Sequence, residues 1–232
     1  HLYNGGLGLA GKDHYNGEKY LDVRTEYPLH MARMFGLAGW TKADAEKSAQ
    51  LILELETKIA AIHWSRVESR DAEATYNLKT FADLKNLNPS IHWDEYLSGQ
   101  GLTDSFLEWN VVMMPSFFEG LDQILVEENL ESLKTWLSWI FIRAHAPYLS
   151  KDFVSERFAF YGTTLTGQPV NRPRWKRAVS LVEGSLGEAV GQIYVEKHFP
   201  ASSKTQMDKL VAHLIEAYRQ SIDQLEWMTA ET

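Results

Sequence analysis

Apolar residues recur at three- and four-residue steps along most of this chain, with polar residues filling the faces between them. The clearest stripe is Ala45, Ala49, Ile52, Leu55, Ile59 and Ile62, the spacing of one helix face. Trp40 and Thr41 open it, and Thr41 is placed to cap it. Glu54 and Lys58 form an i,i+4 pair on its wet face. A helical stretch also runs from Tyr20 to Gly36, where Pro28 is expected to introduce a kink. Ahead of it, residues 1–20 carry Asn4-Gly5-Gly6, Gly8, Gly11 and Asn16-Gly17, a Gly-rich segment that predicts turns and extended backbone.

After Arg66 a polar loop leads to Thr80, which is set to cap a short helix over 81–87. A second short helix follows His92-Trp93-Asp94-Glu95-Tyr96 and ends at Gly99 and Gly101. Residues 106–114 read as an isolated strand closed by Pro115, and Ser116 starts a helix to Glu127. From Leu130 to Leu149 the chain is apolar almost all round (Trp136, Leu137, Trp139, Ile140, Phe141, Ile142), the pattern of a helix buried on more than one side. Pro147 and Ser150 predict a break and a new cap. Phe153, Val154, Phe158 and Tyr161 line the next helix, which Gly162 ends.

Two long helices finish the chain. The first is expected over 173–198, with Trp175, Ala178, Val179, Val182, Leu186, Ala189, Val190 and Ile193 inward. The second opens on a capping box, Ser203-Lys204-Thr205-Gln206. Met207, Leu210, Val211, Leu214, Ile215, Tyr218, Ile222 and Leu225 form its apolar face. No internal repeat, low-complexity tract or Gly/Ser linker divides the sequence. The fold class is therefore mostly α. Residues 1–232 read as a single multi-helix domain with long C-terminal helices and a few short extended segments.

Composition narrows the function classes. At 232 residues the chain can bury a substantial core, and its heavy aromatic content excludes a disordered linker. A formal charge of -8 disfavours nucleic acids and anionic membranes as partners. The basic cluster Arg172, Arg174, Lys176 and Arg177 reads as a helix start that pairs with acidic neighbours. The chain has no cysteine, which removes disulfides, thiolate nucleophiles and Cys-ligated metals. Asn88-Pro89-Ser90 is barred from glycosylation by its proline. No stretch resembles a signal peptide or a membrane segment. The chain begins at His1, as an excised piece would.

The candidate motifs have plain structural readings. Gly6-Leu7-Gly8-Leu9-Ala10-Gly11 matches the letters of a dinucleotide fingerprint, but turn-like Lys12–Gly17 follows where a helix would have to open. The histidines lack the three- or four-residue spacing of a helical zinc site. His92/Glu95 and His213/Glu216 are i,i+3 pairs lacking an identifiable set of partner carboxylates. No G-x-S-x-G occurs. Gly184, Gly187 and Gly191 fall with Ser180 on one helix stripe, predicting close approach of another helix or loop.

Taken in order, a series of segments carries a family resemblance. It begins with Gly5-Gly6-Leu7-Gly8-Leu9, Asp13-His14-Tyr15, Trp64-Ser65-Arg66-Val67, Arg70-Asp71 and Thr75-Tyr76-Asn77. It continues through Ala146-Pro147-Tyr148-Leu149, Phe160-Tyr161-Gly162 and Gly167-Gln168. Arg172-Pro173-Arg174-Trp175-Lys176-Arg177, Tyr194-Val195-Glu196-Lys197 and Leu225-Glu226-Trp227-Met228 close it. The series spans nearly the whole chain and resembles the neprilysin and endothelin-converting-enzyme family of zinc metallopeptidases, including its bacterial oligopeptidase members. Gly6, Gly8, Tyr76, Asn77, Arg174, Trp175, Arg177, Tyr194 and Glu196 match family motifs as structural positions.

The resemblance implies a two-lobed enzyme. Its thermolysin-like lobe holds zinc on H-E-x-x-H and a further glutamate, and a second, helical lobe covers the cleft and restricts substrates to peptides. H-E-x-x-H is absent from this sequence, so no catalytic or metal-binding residue is carried over. Zinc is expected only in the parent protein's other lobe, with peptides and that lobe of the same polypeptide as partners. The lack of cysteine and sequon points to a bacterial, cytoplasmic relative. Thr232 is expected to mark a cut within the longer enzyme. The alternative reading is a standalone helical peptide-binding module without catalysis. On the cover-lobe reading, polar residues in the loops 65–77 and 162–174 are expected to lie near the lobe interface.

Overall fold

Thr41 and Thr80 act as their positions predict. The Thr41 hydroxyl accepts the Asp44 N–H at 3.2 Å and opens α3 (Lys42–Ile62). Thr80 and Asp83 cap each other reciprocally at the start of α4 (Phe81–Leu87). The structure, a computed structural model, describes residues 1–102, 108–229 and 231. These divide into two compact units, His1–Asn171 and Arg172–Thr232, where the sequence reads as one domain. The mostly α fold class holds. The helices are accompanied, among the described residues, by one two-stranded sheet, and no helix is long and apolar enough to cross a membrane.

In the first unit, the glycine-rich start leads into α1 (Asp13–Asn16) and α2 (Leu21–Leu37). Helix α2 continues through Pro28. Helix α3 is the centre of the unit because its apolar positions point two ways. Ala45, Ala49, Ile52 and Ala60 join Tyr27, Met31, Met34 and Phe35 of α2 in one core. Leu55 and Ile59 join Leu84, Trp93, Phe117, Phe118 and Ile124 in another. Those residues come from α4, α5 (Trp93–Gly99) and α6 (Pro115–Glu127). Trp136 and Leu7 pack against both cores. Helix α6 starts at Pro115, one residue before the expected Ser116, since proline's fixed φ suits the first helical position.

Several expectations are corrected. The strand expected over 106–114 is two residues, Asn110–Val111, and is not isolated. As β2 it pairs antiparallel with β1 (Leu78–Lys79), with Leu78 opposite Val111; Phe106 and Leu107 lie outside the described residues. Leu2 bridges Val112 in parallel, tying the start of the chain to this sheet. Helix α7 (Leu130–His145) fully buries Trp139 but leaves Leu137 and Phe141 exposed. Its buried side packs on α2 and α3, and an apolar composition does not supply a neighbour for the other side. Ser150 precedes α8 (Lys151–Arg157) without a side-chain capping bond. The chain then passes into a π-helical segment, Phe158–Thr164, that runs through Gly162. A Cβ at Gly162 would lie 2.4 Å from the Phe158 ring, so this glycine admits a ring rather than stopping a helix.

The second unit consists of α9 (Arg174–His198) and α10 (Ala201–Asp223). Neither helix has a buried residue. Trp175, Val179, Val182, Leu186, Val190 and Ile193, expected inward, are all exposed. Two helices that do not pack face to face leave their stripes uncovered, because a stripe needs a second layer to bury it. Leu186 has non-helical angles, φ -132° and ψ 24°, and kinks α9 between Gly184 and Gly187. A Cβ at Gly184, Gly187 or Gly191 would meet nothing within 4 Å. Helix α10 begins at Ala201 behind Pro200, so Ser203 lies inside its first turn and does not cap it. The basic cluster makes no ion pair among the described residues. Instead Arg172 Nη1 donates to Ser180 Oγ at 3.3 Å, and Arg177 Nε donates to the Arg172 carbonyl at 3.3 Å.

Thr41→Ala removes the cap of the central helix. It is expected to lower unfolding free energy by about 1 kcal/mol, read as a lower urea midpoint at unchanged slope.

Candidate functional site

Helix α3 carries one acidic side chain where its stripe should be apolar. Glu56 is fully buried, and a carboxyl cut off from water must find donors. Its Oε2 accepts from Tyr15 Oη at 2.6 Å, Tyr27 Oη at 3.0 Å and the Gly8 N–H at 3.2 Å. Tyr15 Oη in turn accepts the N–H groups of Gly8 at 3.1 Å and Leu9 at 3.0 Å. Trp139 Nε1 of α7 donates to Tyr27 Oη at 2.9 Å. Arg143 Nη1 donates to the Leu7 carbonyl at 2.8 Å, and Tyr161 Oη to the Gly8 carbonyl at 3.1 Å. The strap formed by residues 7–9 is thus bonded from several elements at once.

Electrostatics follow the burial. Desolvation pushes the Glu56 pKa up, opposed by its tyrosine and Gly8 donors and by Arg143. Burial likewise raises Tyr15 and Tyr27, both helped by the nearby Glu56 carboxyl, and pushes Tyr161 up to about 12. Glu56 Oε1 has no hydrogen-bond partner among the described residues. The network contains no apolar gap where a side chain could be added at the strap: a Cβ at Gly8 would lie 1.7 Å from Tyr27 Oη. Gly6 has φ +88° and leaves only 3.0 Å to the Trp136 ring, so glycine is required there twice over.

The outer face of the strap lines a groove of about 470 Å³. Its lining residues come from the segment between residues 4 and 13 and from the turn between His63 and Arg70 after α3. Lys12 Nζ donates to the His63 carbonyl at 2.6 Å, and His63 Nε2 donates to the Gly5 carbonyl at 2.9 Å. Burial lowers the His63 pKa against that Gly5 bond, which leaves the ring neutral. Arg66 and Arg70 line the groove without an ion-pair or hydrogen-bond partner for their guanidinium groups among the described residues. Asp13 is the carboxylate on its lining. A second cavity, about 560 Å³, is lined by Arg33 and Glu156. There the buried His30 Nδ1 and Arg33 Nε both meet Glu156 Oε1 at 2.8 Å. Burial lowers the His30 pKa despite Glu156.

The sequence-derived positions are distributed over the chain. Gly6 and Gly8 lie in the strap. Tyr76 is exposed, and Asn77 offers its carbonyl to the Val112 N–H at 2.8 Å beside the small sheet. Arg174, Trp175, Arg177, Tyr194 and Glu196 belong to α9 in the second unit, as do Gly184, Gly187 and Gly191. The Lys176 ammonium lies 5.4 Å from the Trp175 ring centre, and the Tyr194 ring 5.0 Å from that of His198. His92 and Glu95 form an exposed pair at 3.4 Å, while Glu216 is paired with Arg219. Among the described residues no group of three His, Asp or Glu side chains could hold a metal ion. Sequence reasoning missed Glu56 and its partners; the available signal was a glutamate in an apolar helical stripe.

Residues 1–232 match the model of peptidase family M13, the part at its N-terminal end. Neprilysin-2 of Drosophila melanogaster is 29% identical over 222 residues, covering 90% of this chain and 29% of the fly protein. Human endothelin-converting enzyme 1 is 29% identical over 237 residues, covering 98% of this chain and 30% of the human one. The crystal structure of Mycobacterium tuberculosis zinc metalloprotease Zmp1 with an inhibitor superimposes at a TM-score of 0.88 and 42% identity. That alignment covers 98% of this chain and 34% of the mycobacterial one. The chain therefore spans about a third of the length of these relatives.

Two predictions follow from the strap and its carboxyl. Gly8→Ala is expected to cost about 1–3 kcal/mol through overpacking, whereas Gly11→Ala, whose Cβ meets only Arg66 Nη2 at 4.0 Å, stays within about 0.5 kcal/mol; urea titration of both compares them. The second concerns pH. Because the folded-state pKa of Glu56 is raised, the folded protein holds that proton more tightly than the unfolded chain. Wild-type stability must then fall relative to Glu56→Gln as pH rises from the ordinary carboxylate range through the folded pKa. Unfolding free energies at about pH 5 and about pH 8 check the sign, and a difference independent of pH contradicts it.

Proposed function

The chain belongs to peptidase family M13, and from that membership we propose that it is the non-catalytic helical lobe of a zinc metalloendopeptidase. In this reading it limits which peptides reach a cleft whose zinc-bearing half lies outside residues 1–232. The observation that carries the reading is the second unit. Its two long helices expose apolar stripes, among them Val182, Leu186 and Ile193 of α9 and Leu210, Leu214 and Ile215 of α10. Covering half a dozen such side chains, each already partly shielded, is worth on the order of 5 kcal/mol. Helices of this kind are stable when another body covers them, and the relatives carry about twice as much chain again. The partner is then the catalytic half of the same polypeptide, with peptides as substrates of the whole.

Zinc belongs to that other half. Among the described residues no histidine and carboxylate set fits it, since His92 and Glu95 stand exposed without a third ligand and Glu216 is engaged by Arg219. This chain contributes shape and access instead. Its polar contribution is the strap, held rigid over Glu56.

Separate expression of the two halves tests the reading. The 232-residue chain alone is expected to show no EDTA-sensitive peptide hydrolysis. Addition of the remaining polypeptide is expected to slow amide hydrogen exchange along α9 and α10. Zinc-dependent cleavage by the chain alone, or unchanged exchange in both helices after mixing, would overturn it.

A further inference from the structure

We propose that the groove between the strap and the turn after α3 docks acidic segments of peptides, through Arg66, Arg70 and Lys12. This rests on the peptidase-lobe reading for its choice of peptides as ligands, and it names the substrate chemistry that reading leaves open.

The charge placement comes first. The chain as a whole is acidic, at -8, yet three cationic side chains line this groove against one carboxylate, Asp13. Glu68, on the same turn and within the field of Lys12, accepts the Ser65 N–H at 2.7 Å. Arg66 and Arg70 have no partner for their guanidinium groups among the described residues, so each keeps its planar pair of donors for a carboxylate. Lys12 spends one donor on the His63 carbonyl at 2.6 Å and retains two.

The opposite wall explains why the ligand is a chain segment rather than a free anion. Two of the three glycines that line the groove, Gly5 and Gly11, leave its floor open. A Cβ at Gly5 would meet nothing within 4 Å, and one at Gly11 only Arg66 Nη2 at 4.0 Å. Neither glycine has a positive φ, so their value lies in the space they leave. A volume of about 470 Å³ falls within the range that encloses a ligand well above the size of one oxyanion. The wall itself does not yield, because its inner side is bonded to Glu56, Tyr15, Arg143 and Tyr161. A preformed wall spares the ordering cost of binding.

The test is fluorescence anisotropy of a labelled hexapeptide bearing three glutamates, titrated with the 232-residue chain, beside the same peptide with glutamines. The acidic peptide is expected to bind at least about tenfold tighter than the glutamine peptide, and to weaken as salt rises, since the guanidinium groups are exposed. Arg66→Gln together with Arg70→Gln is expected to lose about that factor with an unchanged circular dichroism spectrum. Gly11→Val, which fills the floor, is expected to weaken binding while both arginines remain. Equal binding of the two peptides, or unchanged affinity in either variant, overturns the proposal. Displacement of the peptide by equimolar inorganic phosphate also overturns it, by assigning the groove to a free anion. Loss of binding leaves the hydrolysis and exchange tests of the lobe reading standing, so the two can fail separately.

Discussion

A carboxyl group that has lost its water must be compensated inside the protein, and the first unit is arranged around that demand at Glu56. An unpaired buried polar group costs several kcal/mol, which is a large part of a domain's net stability. The donors come from the strap, from α1 through Tyr15 and from α2 through Tyr27. Trp139 of α7 is bonded one step further out. Meeting that demand brings four segments onto one face of α3. It also explains why Gly8 has no room for a side chain, since the strap must approach Tyr27 at hydroxyl distance.

The same constraint shapes the surface. With its inner edge held by Arg143 and Tyr161 as well, the strap presents a fixed wall outward. The turn after α3 brings Arg66 and Arg70 to the facing side. The interior hydrogen bonds of the strap thus fix the wall that this exterior charge faces. The His30–Glu156–Arg33 cluster solves a similar problem between α2 and α8, with the imidazole kept neutral by burial.

The second unit meets no such demand, and among its described residues none is buried. Its helices show the periodicity of buried elements and the exposure of surface ones. On the lobe reading proposed above, that combination is expected, since the relatives are about three times the length matched here. A kink at Leu186, between two glycines, lets α9 change direction where side chains impose least resistance.

The sequence by itself determined what is local. Thr41 and Thr80 could be read as caps because the donor they satisfy lies three residues away. The stripe of α3 could be read because helical geometry repeats within a turn. The ordered series of motifs also showed the family, including the glycines of the strap. What only the tertiary structure decided is everything that depends on a partner distant along the chain. Tyr15 and Gly8 reach Glu56 across 41 and 48 positions, and Trp139 reaches Tyr27 across 112. The pairing of β2 with β1 and the bare stripes of α9 and α10 belong to the same class. Periodicity reports which face of an element is apolar. It carries no information about what covers that face, because the covering atoms are brought there by the rest of the fold.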